Sequence, residues 1–245
     1  MRADPSRQRA LLDLQTLDTT LAQLDHRHAT LPEHARLDAL AAAISAAESE
    51  LVHARTEHDD LQRELRKAEA DVQLVRDRAS RDQQRLASGA GTAKDLQGIQ
   101  HELESLARRQ SILEDAELEV MERAEVVEQR VGAAEQELAR LAADAEGVTA
   151  SRDDATADIT ADRTRVAADR DRLVSDVGPD LVALYDKIRA RSGTGAAPLV
   201  ARRCGGCQLE LNTVDLGRIR DAEEDEVLRC EECGRILVRT AESGL

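Results

Sequence analysis

Apolar residues recur in sevens through most of this chain. Ahead of Pro32 they fall at Leu14, Leu17, Leu21, Leu24 and Leu31. Beyond Pro32 a new register opens. Leu37, Ile44, Leu51, His58, Leu65, Val72, Ala79 and Leu86 hold its a positions, and Leu40, Ala47, Ala54, Leu61, Ala68 and Val75 its d positions. Such a repeat predicts a helix supercoiled on a partner. The pattern stops at Ser88-Gly89-Ala90-Gly91-Thr92, a stretch of turn residues in which Thr92 is placed to cap a following helix. A second long register then runs from Lys94, with Ile99, Leu106, Leu113, Val120, Val127, Ala134, Leu141 and Val148 at d and Leu96, Leu103, Val131, Leu138, Ile159, Val166 and Leu173 among its a positions. It ends at Gly178-Pro179.

Two periodic segments of nearly equal length, joined by a short link, predict an antiparallel hairpin over residues 1–176 with its tip near 88–93. At about 1.5 Å per residue each arm would reach roughly 120 Å if straight. Folding the chain at the tip sets Pro32 opposite Gly147, Val148 and Thr149, so a kink is expected near 32 and 147–149. His58, Asp82, Gln110, Glu117, Asp162 and Asp169 interrupt the seam and read as register-fixing or solvated positions rather than as a carboxylate site. Residues 177–193 form a junction helix with Leu181, Val182, Leu184, Tyr185 and Ile188 on its apolar side, Ser192 to Gly195 read as a linker, and 194–245 form a separate small unit.

Composition supports this outline. The 245 residues include no Phe or Trp and one Tyr, so a large globular core is not expected. The net charge of −15 is uneven: residues 110–176 carry −10, whereas 63–109 carry +2. A chain this acidic repels nucleic acid as a whole, so any such contact must be local. No apolar run matches a membrane span and no signal-peptide pattern opens the chain, which leads us to expect a cytoplasmic protein with reduced thiols and no membrane partner.

The chemistry lies in the tail. Cys204 and Cys207 in C-G-G-C are separated by twenty-two residues from Cys230 and Cys233 in C-E-E-C. Two close pairs supply four thiolates with little chain strain, the ligand set that tetrahedral zinc prefers. Gly205 and Gly206 read as the residues that let the first turn bend, and Gly234 as their counterpart after the second. Leu209 and Leu211, Val214 and Leu216, Ile219, Val227 and Leu228, and Ile236 to Val238 read as short antiparallel strands around the metal. Four-cysteine iron–sulfur ligation is the competing reading, although the spacings match neither ferredoxin pattern. A redox C-x-x-C would need a βαβ pattern, which is missing. One structural zinc per chain is expected, with no open coordination position, no small-molecule substrate and no enzymatic activity. Phosphate-loop and nucleophile-elbow motifs are absent.

Three stretches together resemble the bacterial C4-type zinc-ribbon, coiled-coil hairpin family. They are Thr92-Ala93-Lys94-Asp95-Leu96-Gln97 with Gln100 to Leu106, Leu113 to Glu122, and Tyr185-Asp186-Lys187-Ile188-Arg189 followed by the cysteine pairs and Cys233-Gly234-Arg235-Ile236-Leu237. The resemblance implies an elongated hairpin with a zinc ribbon at its base. It also implies a role as a nucleic-acid-binding protein or an adaptor, in some bacteria for motility-gene expression or export. Two basic groups are candidate partner contacts: Lys94, Arg108 and Arg109 near the tip, and Lys187, Arg189, Arg191, Arg202 and Arg203 near the metal. The leading expectation is an adaptor with a protein partner at the tip and a second partner at the ribbon. The alternative is a DNA- or RNA-binding regulator acting through the second basic group, which lacks aromatic residues for base stacking.

Overall fold

The heptad positions become helices. The computed structural model describes residues 1–245 and contains α1 (Pro5–Ala29), α2 (Pro32–Ser88), α3 (Ala93–Val177) and α4 (Pro179–Ser192), then β1 (Ala196–Val200), β2 (Arg203–Cys204), α5 (Thr213–Asp221), β3 (Leu228–Arg229) and β4 (Ile236–Val238). No helix is long and apolar enough to cross a membrane. The chain divides into two compact units, Ala35–Thr149 and the combination of Met1–His34 with Ala150–Leu245.

In the first unit, α2 and α3 run antiparallel on a thin apolar seam. Leu51, Ala54, Leu61, Val72, Leu106, Ala124, Val127, Leu141 and Val148 are buried, each at an a or d position of its heptad. Leu61 packs with Ala124 and Val127. Ion pairs flank the seam: Arg55–Glu135 at 2.6 Å, Arg130–Glu57 and Arg130–Glu50 at 2.8 Å, and Arg76–Glu114 at 2.5 Å. All are largely exposed, so each stabilises by no more than about 1 kcal/mol. Their value is in register, because a slipped hairpin would lose them together. The polar seam residues His58, Asp82, Gln110 and Glu117 are half-buried.

At the tip, Gly89 (φ +63°) and Gly91 (φ +135°) adopt backbone angles that favour glycine. Thr92 and Asp95 then form a reciprocal cap. The Asp95 N–H donates to Thr92 Oγ1 at 3.2 Å, and the Thr92 N–H donates to Asp95 Oδ2 at 2.9 Å. The Thr92 hydroxyl also donates to Asp95 Oδ2, at 2.6 Å, and this bond, followed by that from the Thr92 N–H, holds the Asp95 carboxyl below its ordinary range.

The first arm is broken at Thr30 and Leu31, just ahead of Pro32. In the other arm, α3 is helical through Gly147, Val148 and Thr149. One glycine costs a helix only about 1 kcal/mol. The buried Val148 and the continuous hydrogen-bond ladder outweigh that.

In the second unit the tail is not the separate body that its sequence suggests. The sheet order is β2-β1-β4-β3, with β1 and β4 parallel rather than antiparallel. Strand alternation gives this sheet two apolar faces. Ala196, Ile236 and Val238 pack with Leu11 and Leu14 of α1, Val177 of α3, and Leu181, Val182, Tyr185 and Ile188 of α4. Ala197, Leu199 and Leu237 pack instead with Leu216 and Ile219 of α5 and with the buried cysteines. The segment Val214 to Ile219, expected as strand, is helix. Asn212 caps it by accepting the Asp215 N–H at 2.8 Å, and Leu216 and Ile219 share one face at the i, i+3 spacing. Residues 1–3 add a further edge: the Ala3 N–H donates to the Asp225 carbonyl at 2.8 Å, and the Val227 N–H to that of Met1 at 3.1 Å.

Ser192 to Gly195 form a closed turn rather than a loose linker. Gly193 (φ +75°) ends α4 with its N–H on the Arg189 carbonyl at 2.8 Å. The Gly195 N–H donates to Gln15 Oε1 at 2.7 Å. Behind it, the fully buried Tyr185 donates its hydroxyl to Asp18 Oδ2 at 2.8 Å. Asp18, 1% exposed, is also approached by Arg170 at 2.7 Å and Arg189 at 3.4 Å.

Two predictions follow from this junction. A Cβ on Gly195 would lie 2.4 Å from the Tyr185 ring and 2.7 Å from its carbonyl oxygen. Gly195→Ala should therefore destabilise this unit by about 1–3 kcal/mol, read as a lower melting midpoint. The second concerns ionisation. Burial, and then the bond to Asp18, raise Tyr185 well above the ordinary phenol value of 10.0. The folded state thus holds its proton where the unfolded state releases it, so this stabilisation is complete below pH 10.0 and falls as pH rises beyond it. Because Tyr185 is the only aromatic residue, the tyrosinate absorbance should appear only together with loss of structure. A band that grows near the free-phenol value in a fully folded chain would contradict the buried junction.

Candidate metal centre

Two turns of the same construction present the four sulfurs. In the first, the Gln208 N–H donates to the Cys204 carbonyl at 2.6 Å, and the Cys204 N–H to that of Leu209 at 3.0 Å. In the second, the Gly234 N–H donates to the Cys230 carbonyl at 2.8 Å, and the Cys230 N–H to that of Arg235 at 3.0 Å. The residue after each cysteine pair takes the left-handed backbone, with φ +64° at Gln208 and +72° at Gly234. Gln208, not Gly205 or Gly206, therefore makes the first turn. Those two glycines serve a different need. A Cβ on Gly205 would meet Pro198 at 3.0 Å, and one on Gly206 would meet Arg235 Cδ at 2.7 Å, so they allow neighbouring groups to approach closely.

The Cys204 and Cys233 sulfurs lie 3.8 Å apart, and those of Cys207 and Cys230 3.9 Å apart. All four fall within 4.8 Å of one another. Four sulfurs at about 2.3 Å from a tetrahedral zinc would be separated by about 3.8 Å, so the donor set fits one zinc ion. Cys204 and Cys230 are buried, while Cys207 and Cys233 are partly exposed. Burial raises the Cys204 thiol and pushes that of Cys230 up to about 12. Cys233 moves the other way. Burial opposes its ionisation, yet hydrogen bonds from the Arg235 backbone and side chain, and from Cys230 and Cys204, bring it to about 7. Arg235 Nε is itself buried without a hydrogen-bond partner, which suits an anionic sulfur cluster beside it. The centre holds one structural zinc through Cys204, Cys207, Cys230 and Cys233. With four sulfur ligands no position is left for a reacting water.

The two basic groups differ in availability. Lys94, Arg108 and Arg109 are exposed, as are Lys187, Arg191 and Arg202. Arg189 is drawn inward to Asp18, and Arg203 pairs with Glu210 at 3.5 Å. The cluster read from sequence is thus smaller in space, because two of its cations already face carboxylates. Arg235 was the residue that the sequence did not single out. Its only signal was its place directly after Cys233-Gly234.

Purified protein should contain one zinc per chain by elemental analysis. Zinc binding supplies folding free energy of roughly 10 kcal/mol or more in small four-ligand units. Cys204→Ser or Cys230→Ser should therefore unfold the sheet and expose Tyr185, because β4 belongs to both apolar clusters. Most of the helical signal should remain, carried by α2 and α3. Tyrosine emission is a clean readout, since no other aromatic residue contributes. Iron in place of zinc, or no tightly held metal, would rule out the assignment.

The model of the CT398-like coiled coil hairpin domain matches residues 14–193, and that of the C4-type zinc ribbon domain matches residues 203–237. An uncharacterized protein of Mycobacterium tuberculosis is 40% identical over 239 residues, covering 98% of both chains. A solved structure from Mycobacterium smegmatis is similar with a TM-score of 0.83 and 39% identity, over 98% of this chain and 100% of that one. The structure of CT398 from Chlamydia trachomatis shares the fold at 16% identity, with a TM-score of 0.66 over 96% of this chain and 98% of its own. Helical hairpin, cysteine geometry and family models agree, and the chain belongs to the CT398-like coiled-coil hairpin family with a C4-type zinc ribbon.

Proposed function

We propose that this chain is a non-enzymatic adaptor, which binds a protein partner near the hairpin tip and a second partner through the ribbon. The observation that carries the reading is a mixed basic and apolar surface on the hairpin unit. Ile112 is 63% exposed and lies one helical turn beyond Arg108 and Arg109. Leu74 is 64% exposed, and the Arg76–Glu114 pair sets it level with Ile112. Large exposed aliphatic side chains beside cations that have no ion-pair partner suit a protein surface bearing acidic and apolar groups. Lys187 and Arg191 of α4, and Arg202 beside the ribbon, are likewise exposed without an ion-pair partner.

A nucleic-acid-binding regulator is the alternative, favoured by the exposed Arg202 beside the zinc centre. The engagement of Arg189 and Arg203 with carboxylates weakens it, as does the missing aromatic platform. The reading accords with a cytoplasmic location, which fractionation would check.

Affinity capture from native lysate, with and without nuclease, separates the two. Lys94→Glu with Arg108→Glu and Arg109→Glu should remove one protein partner while zinc content and helicity stay unchanged. Lys187→Glu with Arg191→Glu and Arg202→Glu should remove a different one. If the second partner is nucleic acid, nuclease should release it, and the variant should flatten the slope of log affinity against log salt by about one unit per lost phosphate contact. Retention of every partner by both variants would end the two-surface reading.

A further inference from the structure

Arg235 meets the zinc centre from the side that faces the helices. It follows Cys233-Gly234 directly, and its own carbonyl accepts the Cys230 N–H at 3.0 Å. Its backbone thus belongs to the second cysteine turn. Its stem crosses to the other turn and fills the space that a side chain at Gly206 would occupy, with Cδ 2.7 Å and Nε 3.4 Å from that Cβ position. The far end of the guanidinium donates Nη2 to the carbonyl of Ser192, the last residue of α4, at 3.3 Å. Between these contacts, Nε is buried and has no hydrogen-bond partner.

A zinc ion with four thiolates carries two net negative charges, in a tail whose own balance is already −3 from Thr194 onward. Some positive group must lie against those sulfurs, because desolvated charge without a counter-charge is costly. Other arginines near the centre are engaged elsewhere. Arg202 is exposed and donates Nε to the Gly244 carbonyl at 3.0 Å, and Arg203 is exposed and paired with Glu210. Arg218 pairs with Glu231 at 2.6 Å, and Arg229 donates Nε to the Gly234 carbonyl at 2.9 Å. Arg235 alone combines contact with both cysteine turns, a buried donor still free, and a bond to a helix end.

We propose that Arg235 is the positioning residue of the zinc centre: its guanidinium balances the thiolate cluster from within and fastens that cluster to the end of α4. The side chain lies across Gly206, between the two cysteine turns, and Nη2 donates to the helix carbonyl. Gly206 is glycine because this side chain lies across it. The planar guanidinium can bond the helix carbonyl with Nη2 while its Nε side stays against the cysteine turns, which a lysine ammonium cannot do from one position.

The test uses the full chain loaded with zinc or with cobalt(II). Partners of metal ligands typically contribute 10–100-fold to affinity. Arg235→Gln should weaken zinc by roughly that factor in competition with a chromogenic chelator. It should also shift the sulfur-to-cobalt charge-transfer band to lower energy, because thiolates that lose a neighbouring positive charge are easier to oxidise. Arg218→Gln, which removes an exposed cation near the second turn, should alter neither readout. Arg235→Lys covers the case in which Arg235→Gln does not fold; it should give intermediate weakening and a band shift in the same direction. Parental affinity and spectrum in Arg235→Lys, or in a folded Arg235→Gln, would overturn the proposal. Equal weakening in Arg218→Gln would overturn it too, by showing a general charge effect.

Discussion

The second unit depends on a single strand pair, β1 with β4, being buried on both faces. Because strand side chains alternate, Ile236 and Val238 enter the core made by α1 and α4, while Leu237 between them enters the core beneath the cysteines. A tail of about fifty residues cannot bury enough surface to fold alone. Here it has two sources of stability: thiolate–metal bonds on one face and a helical platform on the other. Neither can be disturbed in isolation, since β4 begins three residues after the last zinc ligand. The residues between are Gly234, whose left-handed angle completes the turn, and Arg235.

The platform owes its geometry to polar groups as much as to leucines. Asp18 is almost wholly buried and gathers Tyr185, Arg170 and Arg189 from α4 and α3 around α1. Gln15, one turn earlier, receives the N–H of Gly195 as the chain leaves α4 for β1. Buried charges of this sort add little net stability against well-packed apolar replacements, but removing one partner is expensive. They act by exclusion. Alternative placements of α4 would strand a carboxylate, two guanidinium groups and a phenol away from water.

The long helices, the tip and the zinc ligands were legible because their signals are local and periodic. A heptad repeats many times, so single ambiguous positions such as His58 do not matter. Two cysteine pairs define a tetrahedral donor set without knowledge of the surrounding chain. The small strands and α5 were not legible for the opposite reason. Val214, Leu216 and Ile219 fit strand alternation and helical spacing about equally, and only the Asn212 cap and burial against β1 and β4 decide between them. Gly147 to Thr149 carry weak helix formers, and the segment is nonetheless helical, with Val148 buried. The parallel pairing of β1 with β4 joins segments about forty residues apart, and the Asp18–Tyr185 contact spans 167. No local pattern reports contacts over such distances.

That same limit affects how the charge of this chain should be read. Its basic residues are nearly all arginine, and in sequence each looks like a possible surface contact. In space they divide into two kinds. Arg170, Arg189, Arg235 and Arg239 face inward, the last donating to the carbonyls of Ala222 and Glu223 at the end of α5. Each satisfies acceptors that helix ends and buried carboxylates leave open, a task that suits the guanidinium fork. Most of the others face outward, Lys94, Arg108, Arg109, Lys187, Arg191 and Arg202 among them. On a background of net charge −15, outward cations are outnumbered by carboxylates, so the chain as a whole is a weak attractor for a polyanion. Any contact with a polyanion would therefore have to be local, at a site where cations outnumber their acidic neighbours.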